Sequence, residues 1–168
     1  MANDETRSER APKPVGAYPH ARRVGNLLFL SGIGSRKRGV GAPGATAAAS
    51  APGRPDTHGA PSAPASAPAP DEIPGNITDA SGAVISHDIV QQTHQVMANV
   101  RTILEDAGSS WDQIVDVTVF LTDMENDFAA FNRVYAEYFT TNQPTRTTVE
   151  VGALPTAIAI ELKIIATV

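Results

Sequence analysis

The stretch "RTTVEVGALPTAIAIELKIIATV", residues 146–168, contains two β-strand patterns separated by a segment with a glycine and a proline. Side chains of a strand point alternately to its two faces. In the second pattern, large apolar residues therefore occupy one face, and Glu161 lies on the other face with Ala159 and Lys163. The apolar face, which we expect to lie under the helices, consists of Ile158, Ile160, Leu162 and Ile164.

The first pattern has charges on one of its two faces. Its alternation predicts Thr147, Val149 and Val151 on one side and Arg146, Thr148 and Glu150 on the other. We expect Arg146 and Glu161 to share the sheet face that carries no helices. Because an unpaired charge is costly to bury, two explanations stay open. The charges form ion pairs in a subunit interface, or Arg146 binds a carboxylate while Glu161 handles a proton in a partly desolvated pocket.

The segments before this stretch predict further strands and two helices. Residues 26–33, "NLLFLSGI", form a short apolar run, and residues 113–124, "QIVDVTVFLTDM", alternate. The latter pattern predicts Val115, Val117, Val119 and Leu121 on one face. Residues 86–108 have helical apolar spacing, with Ser86 as the expected N-cap and Gly108 as the stop. The order β-β-α-β-α-β-β predicts an α+β domain whose mixed sheet carries both helices on one face.

A second helix is predicted from about residue 127, and it carries an aromatic stripe. We interpret the stripe as core packing against the sheet rather than a cofactor site. Asn132 beside it is either solvent-facing or part of a site. Tyr18, which Pro19 holds extended, is either a packing residue or a phenol donor in a pocket. The stripe consists of Phe128, Phe131, Tyr135, Tyr138 and Phe139.

Residues 39–70 are almost entirely Ala, Pro, Gly and Ser, without apolar periodicity of either kind. Such a segment buries too little surface to offset its ordering entropy. The composition therefore predicts a disordered tail over residues 1–12 and one domain over residues 13–168, interrupted by a low-complexity insertion at about residues 39–70. A Pro-rich docking ligand is the alternative for the insertion.

The bulk composition excludes several classes of protein. A net charge of −5 and a pI near 5.3 argue against nucleic acid and anionic membrane surfaces as partners. The absence of cysteine excludes disulfides and thiolate chemistry. The four histidines show no ligand spacing with acidic residues, so no metal site is predicted. With no apolar leader and no run of membrane-spanning length, we expect a cytoplasmic protein.

Four segments together resemble the reactive-intermediate deaminases, also called the Rid or YjgF-like family. They are "VGAYPHA", "LFLSGIG", "VTVFLTDMENDFAAFNRVYAEYF" and "RTTVEVGALPTAIAIELKIIA". The resemblance implies a chorismate-mutase-like fold assembled as a homotrimer, or as a hexamer of two trimers, with sheets closing a central barrel and sites between subunits. It implies that Arg146 grips a substrate carboxylate and that Glu161 activates water. It also implies that Tyr18, Ser31, Asn132 and Thr148 line the substrate site.

Two departures from the common family pattern favour one branch. Thr148 stands where many members carry cysteine, and Pro19-His20 replaces the usual Ser-Gln. These features resemble the 2-aminomuconate deaminase branch. The expected activity is cofactor-independent hydrolysis of a C–N bond, converting 2-aminomuconate to 4-oxalocrotonate (2-hydroxymuconate) and ammonia in aromatic catabolism. The alternatives are a broad deaminase of 2-imino acids such as 2-aminoacrylate, and a non-catalytic trimer that senses a small carboxylate.

Overall fold

The computed structural model describes residues 4–39 and 72–168. These residues form nine strands and two helices. In chain order they are β1 (Glu5–Thr6), β2 (Ala21–Val24), β3 (Leu27–Leu30), β4 (Ile33–Gly34), β5 (Asn76–Thr78), β6 (Val84–His87), α1 (Ile89–Asp106), β7 (Ile114–Leu121), α2 (Met124–Tyr138), β8 (Thr145–Glu150) and β9 (Ile160–Thr167).

Seven of the strands form one mixed sheet in the order β1-β2-β3-β9-β7-β8, with β4 also pairing with β9. The β7–β8 pair is parallel and joined through α2, whereas the other pairs of this sheet are antiparallel. Strands β5 and β6 form a separate hairpin. The predicted α+β class is confirmed, while β1, β4 and the hairpin had no counterpart in the prediction.

Both helices pack on one face of the sheet, where α1 contacts β9 and α2 contacts β7. The predicted apolar face of β9 is confirmed, since Ile160, Leu162 and Ile164 are fully buried there. The aromatic stripe of α2 is buried at its centre, as predicted, through Phe131 and Tyr135. Burial of this apolar surface is the main source of stability. It also fixes which face of β9 is left to Glu161.

Strand β7 differs from its predicted alternation at its beginning. The register between β7 and β9 shifts between Ile114 and Asp116, so that one extra residue is accommodated there. As a result Ile114 is buried and Val115 is 47% exposed, contrary to the prediction for Val115. From Val117 onward the predicted face is correct, because Val117, Val119 and Leu121 are fully buried.

The two helix starts also differ from the prediction. Ser86 belongs to β6 and pairs with Ile77, and the N-cap of α1 is Asp88, whose side chain accepts hydrogen bonds from the amides of Val90 and Gln91. Helix α2 begins at Met124 rather than near residue 127, because the Asp123 side chain accepts a hydrogen bond from the Asn126 amide. The predicted stop after α1 is confirmed, since Gly108 has φ +77°.

The face predicted for the first half of the opening stretch is wrong. In the parallel pairing, Arg146 lies opposite Val117, Thr148 opposite Val119 and Glu150 opposite Leu121. Directly opposed residues share a face, so these three side chains lie on the helix side of the sheet. The Glu150 carboxylate accepts a hydrogen bond of 2.8 Å from the Met124 amide at the start of α2. This contact gives Glu150 a structural role at the start of α2.

The N-terminal segment is part of the fold, although residues 1–12 were expected to form a tail. From residue 4 onward it pairs with β2 through β1, and Ala11 lies in the core. Arg10 donates to the Asp106 carboxylate at 2.6 and 2.8 Å, which ties the segment to the end of α1. The low-complexity insertion, predicted at about residues 39–70, lies outside the described residues except at its first residue.

Candidate active site in two clusters

The first cluster of candidate residues surrounds Arg146 at the edge of the sheet. The Arg146 guanidinium donates a hydrogen bond of 2.9 Å to the Asn132 side-chain oxygen and lies 4.6 Å from the centre of the Tyr135 ring. The Phe131 ring lies 5.7 Å away. Among the described residues no carboxylate pairs with Arg146. We call Arg146, Asn132, Phe131, Tyr135 and Thr148 the arginine cluster.

Helix α2 supplies the platform on which Arg146 rests. Phe131 and Tyr135 are four residues apart, so their rings lie on one face, with centroids 5.6 Å apart. Tyr135 in turn stacks on Phe139 at 4.3 Å. An arginine over aromatic faces is attracted by their quadrupoles and keeps its planar fork ready for a carboxylate. The rings of Phe131 and Tyr135 therefore position the Arg146 guanidinium over α2.

Two hydroxyl groups of the arginine cluster are buried without a hydrogen-bond partner, those of Tyr135 and Thr148. Burial raises the pKa of Tyr135 to about 12, so its hydroxyl keeps its proton. Unpaired buried polar atoms are rare in native proteins and require an explanation. A bound ligand, an ordered water or a second subunit would each supply a partner. The sequence predicted Tyr135 as a core residue. Its unpartnered hydroxyl, which is visible only in the structure, indicates that it could also contact a ligand or a second subunit.

The second cluster surrounds Glu161 on the opposite face of the sheet. Glu161 lies opposite Phe120 on β7, and its side chain is half-buried. Burial raises the pKa of the Glu161 carboxyl, because nothing compensates the desolvation of its charged form. No described residue forms a hydrogen bond or an ion pair with this carboxylate. A half-dehydrated carboxylate without partners is suited to accepting a proton.

Glycine at position 32 makes this arrangement of Glu161 possible. The Glu161 carboxylate lies against the backbone of Gly32, where a Cβ atom would overlap it. Gly32 also lines a pocket that is open to solvent. Tyr18 and Ser31 line the same pocket. We call Glu161, Gly32, Tyr18 and Ser31 the glutamate cluster.

Ser31 and His20 hold the loop that presents Tyr18. The Ser31 hydroxyl donates to the Pro19 carbonyl at 2.7 Å, and the Ser31 amide donates to the His20 carbonyl at 2.9 Å. The buried His20 ring accepts from the Ser8 amide through Nδ1, so its Nε2–H donates to the Pro12 carbonyl. Ser31, predicted to contact substrate, thus uses its hydroxyl proton to fix the backbone beside Tyr18.

Within one subunit the two clusters do not meet. Arg146 and Glu161 were expected on one sheet face, but Arg146 lies on the helix side and Glu161 on the other side. The predicted residues are grouped as Arg146 with Asn132 and Thr148, and as Glu161 with Tyr18 and Ser31. The two clusters differ in chemistry, since a guanidinium can bind an anion and a carboxylate can accept a proton.

No three histidine, aspartate or glutamate side chains converge in a way that could hold a metal ion anywhere in residues 4–39 and 72–168. None of the helices in the described parts of the chain is long and apolar enough to cross a membrane.

Comparison with known proteins places this chain among relatives along its length. The family described as Endoribonuclease L-PSP matches residues 73–168. A RutC family protein of Pyrococcus abyssi is 35% identical over 166 residues, which cover 99% of this chain and 98% of that protein. Reactive Intermediate Deaminase A of Arabidopsis thaliana is 29% identical over 160 residues, covering 95% of this chain and 63% of that protein.

The structural comparison agrees with the sequence comparison. The crystal structure of TdcF from E. coli with bound serine superimposes with a TM-score of 0.66 at 25% identity, covering 98% of each chain. This chain therefore has both the fold of the neighbouring structure and the sequence pattern of the family. The chain belongs to the Rid family, also called the YjgF or endoribonuclease L-PSP family.

Proposed function

We propose that this protein deaminates 2-imino and 2-enamino acids by hydrolysis, without a cofactor, and that its substrate is 2-aminomuconate. The observation that carries the proposal is the Arg146 guanidinium, which rests on an aromatic platform with no carboxylate partner among the described residues. A relative of this chain has the name Reactive Intermediate Deaminase A. A structural neighbour binds serine, which is a 2-amino acid.

The proposed site forms between subunits of a homotrimer. Because the two clusters lie on opposite sheet faces, a site with both needs Arg146 from one subunit and Glu161 from the next. The helix-free face supports such an assembly, since Phe29, Phe120 and Ile165 on it are only partly buried in the single chain. Three such faces turned toward a common axis would cover one another.

In the proposed mechanism, Arg146 binds the carboxylate next to the reacting carbon through two parallel N–H···O bonds. This positions C2 of the imine tautomer, whose carbon is already electrophilic. Water adds to C2 while Glu161 accepts one of its protons and passes it to the imine nitrogen, so that a neutral carbinolamine forms. Glu161 then accepts the hydroxyl proton of the carbinolamine and passes it to the nitrogen, so that the C–N bond breaks, the C2 carbonyl forms and ammonia leaves. One water is consumed and one ammonia is released for each substrate molecule.

The decisive experiment combines a turnover assay with a native mass measurement. Purified protein is mixed with freshly generated 2-aminomuconate, and ammonia and absorbance are followed against an enzyme-free control. We expect one ammonia per substrate, produced faster than in the control, by a particle with the mass of a trimer or of two trimers. Ammonia release at the uncatalysed rate contradicts the proposal.

Two alternatives are separated by the same assay. Binding of 2-aminomuconate without turnover supports a ligand-sensing trimer, a function favoured by the serine found in the neighbouring structure. Comparable turnover of 2-aminoacrylate and 2-aminomuconate supports a broad imine deaminase. An RNA substrate, which the family description Endoribonuclease L-PSP names, is disfavoured for this chain, because its net charge of −5 repels a polyanion.

A further inference from the structure

Helix α1 carries two amide side chains on its core-facing side, those of Gln92 and Asn99. They are seven residues apart, which is about two helical turns, so they lie on the same side of the helix. Gln92 is fully buried, and Asn99 is nearly so. A buried amide is costly unless its hydrogen bonds are made. The proposed chemistry uses neither side chain, and their hydrogen-bond partners indicate what they contribute.

The Gln92 carboxamide joins separate segments of the chain. Its oxygen accepts hydrogen bonds from the Ser35 hydroxyl at 2.9 Å and from the Ala159 amide at 2.8 Å. Its nitrogen donates to the Asn76 side-chain oxygen at 2.7 Å. Asn76 in turn donates to the Ala157 carbonyl at 2.9 Å. One buried amide therefore ties α1 to the residue that follows β4, to the residues that precede β9, and to the β5–β6 hairpin.

The Gln92 contacts lie at the end of the β4–β9 ladder, next to the candidate base. Strand β4 has two residues, and its last pair joins Gly34 to Glu161. Just beyond that pair, Ser35 and Ala159 both donate to the Gln92 oxygen. A strand of two residues is shorter than strands usually are, and it makes few ladder bonds of its own. Gln92 therefore fixes where β4 lies relative to Glu161.

The position of β4 matters because it brings Gly32 against Glu161. Gly32 is the residue before β4, and a Cβ atom added there would overlap the Glu161 carboxylate. Asn99 holds the same segment from the next turns of α1, since its side chain donates to the Gly34 carbonyl at 2.9 Å. The close contact with Gly32 covers part of the carboxylate, and burial raises the pKa of Glu161.

We propose that Gln92 is a positioning residue for Glu161. It lies on the helix side of the sheet and acts on the carboxylate of the other face through the backbone of β4 and β9. By fixing β4 against β9, it keeps Gly32 on the Glu161 carboxylate and so holds that group in one place, partly dehydrated. This inference rests on the proposed function for the role of Glu161 as a base, but the environment of Glu161 is measured without turnover.

The test is Gln92→Met, which keeps the length of the side chain and removes its hydrogen bonds. The Ser35 hydroxyl and the Ala159 amide then lose their partner, so β4 can move away from β9 and water can reach Glu161. We expect the pKa of Glu161 to fall toward the ordinary value of glutamate, about 4.3. We also expect kcat for 2-aminomuconate to fall by ~10–10², the effect of a small displacement of a reacting group.

Carbon-13 NMR on the intact assembly, labelled at the glutamate carboxyl carbons, follows this titration. The signal of Glu161 is identified by its loss in Glu161→Gln. The charged side chains on the same face of the neighbouring strands are Asp116 on β7 and Lys163 on β9, and β4 adds none. These charges are the same in every variant, so a change in the pKa of Glu161 reports its burial.

Thr93→Val is the matched control. Thr93 is adjacent to Gln92 and also fully buried, but its hydroxyl donates within the helix, to the Ile89 carbonyl at 2.7 Å. We expect the pKa of Glu161 and kcat to be unchanged in this variant. If Gln92→Met does not fold, Ser35→Ala, which removes one donor to Gln92, replaces it and should lower the pKa by a smaller amount. An unchanged pKa of Glu161 in the folded variant, or an equal change in Thr93→Val, overturns the inference.

Failure of this inference and failure of the proposed function have different signatures. If the pKa of Glu161 falls in Gln92→Met but the unmodified protein releases no ammonia from any imine, the deaminase activity is removed and Gln92 still positions Glu161. If the unmodified protein releases ammonia and neither the pKa nor kcat responds to Gln92→Met, the deaminase remains and the role of Gln92 is removed.

Discussion

The arginine cluster and the glutamate cluster are built by opposite physical means. Arg146 is surrounded by compensating contacts, namely the Asn132 oxygen and the aromatic rings of α2, so its charge is stabilised in place. Glu161 has no compensating contact among the described residues, and burial raises the pKa of its carboxyl. A residue that binds a carboxylate must stay charged, whereas a general base must bind a proton favourably. The contrast matches the two roles proposed for these residues.

The largest expected effect comes from removing the base. Glu161→Gln keeps the shape of the side chain and removes its ability to accept a proton, so kcat for 2-aminomuconate should fall by ~10²–10⁴. Lys163→Gln is the control, since Lys163 lies on the same face of β9 and is exposed. Native mass and circular dichroism check that both variants assemble. Near-normal ammonia release from Glu161→Gln would remove Glu161 from the mechanism.

The pH profile gives this variant a second readout. Because burial raises the pKa of Glu161, the carboxyl is protonated and inactive as a base below that value, and kcat/KM should fall as the pH is lowered through it. The Glu161→Gln variant should lack this limb. The raised pKa of Glu161 also affects the stability of the folded protein. Protonated Glu161 stabilises the folded state at low pH, and this stabilisation is lost as the pH rises through the raised pKa.

Mixing subunits tests directly whether the two clusters meet across an interface. Arg146→Lys and Glu161→Gln subunits are unfolded together at equal amounts and reassembled. Random trimers should recover about a quarter of the unmodified kcat/KM, because one neighbouring pair in four combines an intact Arg146 with an intact Glu161. Each variant reassembled alone is the control. Recovery no greater than the mean of these two controls shows that the clusters do not combine between subunits.

Gly32→Ala tests the close approach that sets the position of Glu161. A methyl group at residue 32 would overlap the Glu161 carboxylate and displace it, and a shift of about 1 Å in a reacting group can lower kcat ~10²-fold. Gly152→Ala is the matched control, since a Cβ there meets nothing within 4 Å. Unchanged kcat in Gly32→Ala, measured by ammonia release, would mean that Glu161 acts from another position.

The smallest expected effect concerns the fork of Arg146. Arg146→Lys keeps the charge and loses bidentate binding, so KM for the substrate should rise ~10-fold with a smaller change in kcat. Arg133→Lys, on the exposed side of α2, should leave both constants unchanged. If KM is equally unaffected in Arg146→Lys, then Arg146 is a structural residue and the arginine cluster is not a carboxylate receptor.

Much of the fold could be predicted from periodicity, because the core faces of β9 and α2 are strongly apolar on one side only. Helix starts were less predictable. Ser86 and Asp88 both have side chains that cap helices, and only the pairing of Ser86 with Ile77 in the hairpin assigns the cap to Asp88. The close contact of Gly32 with Glu161 had no sequence signal, since it joins residues distant in the chain.

Alternation along residues 146–168 is enough to place Arg146 and Glu161 on two separate strands. The motifs in the sequence likewise establish the family resemblance, which implies that both are site residues. Which face of the sheet each residue occupies depends on how the strands pair and pack in the folded chain. In β9 the burial of one face leaves a single arrangement. Strand β8 lies at the sheet edge and is not strongly apolar on either side, so its alternation fits both faces equally well. The parallel register with β7 determines the face, because a shift of one residue would move every side chain of β8 to the opposite face of the sheet.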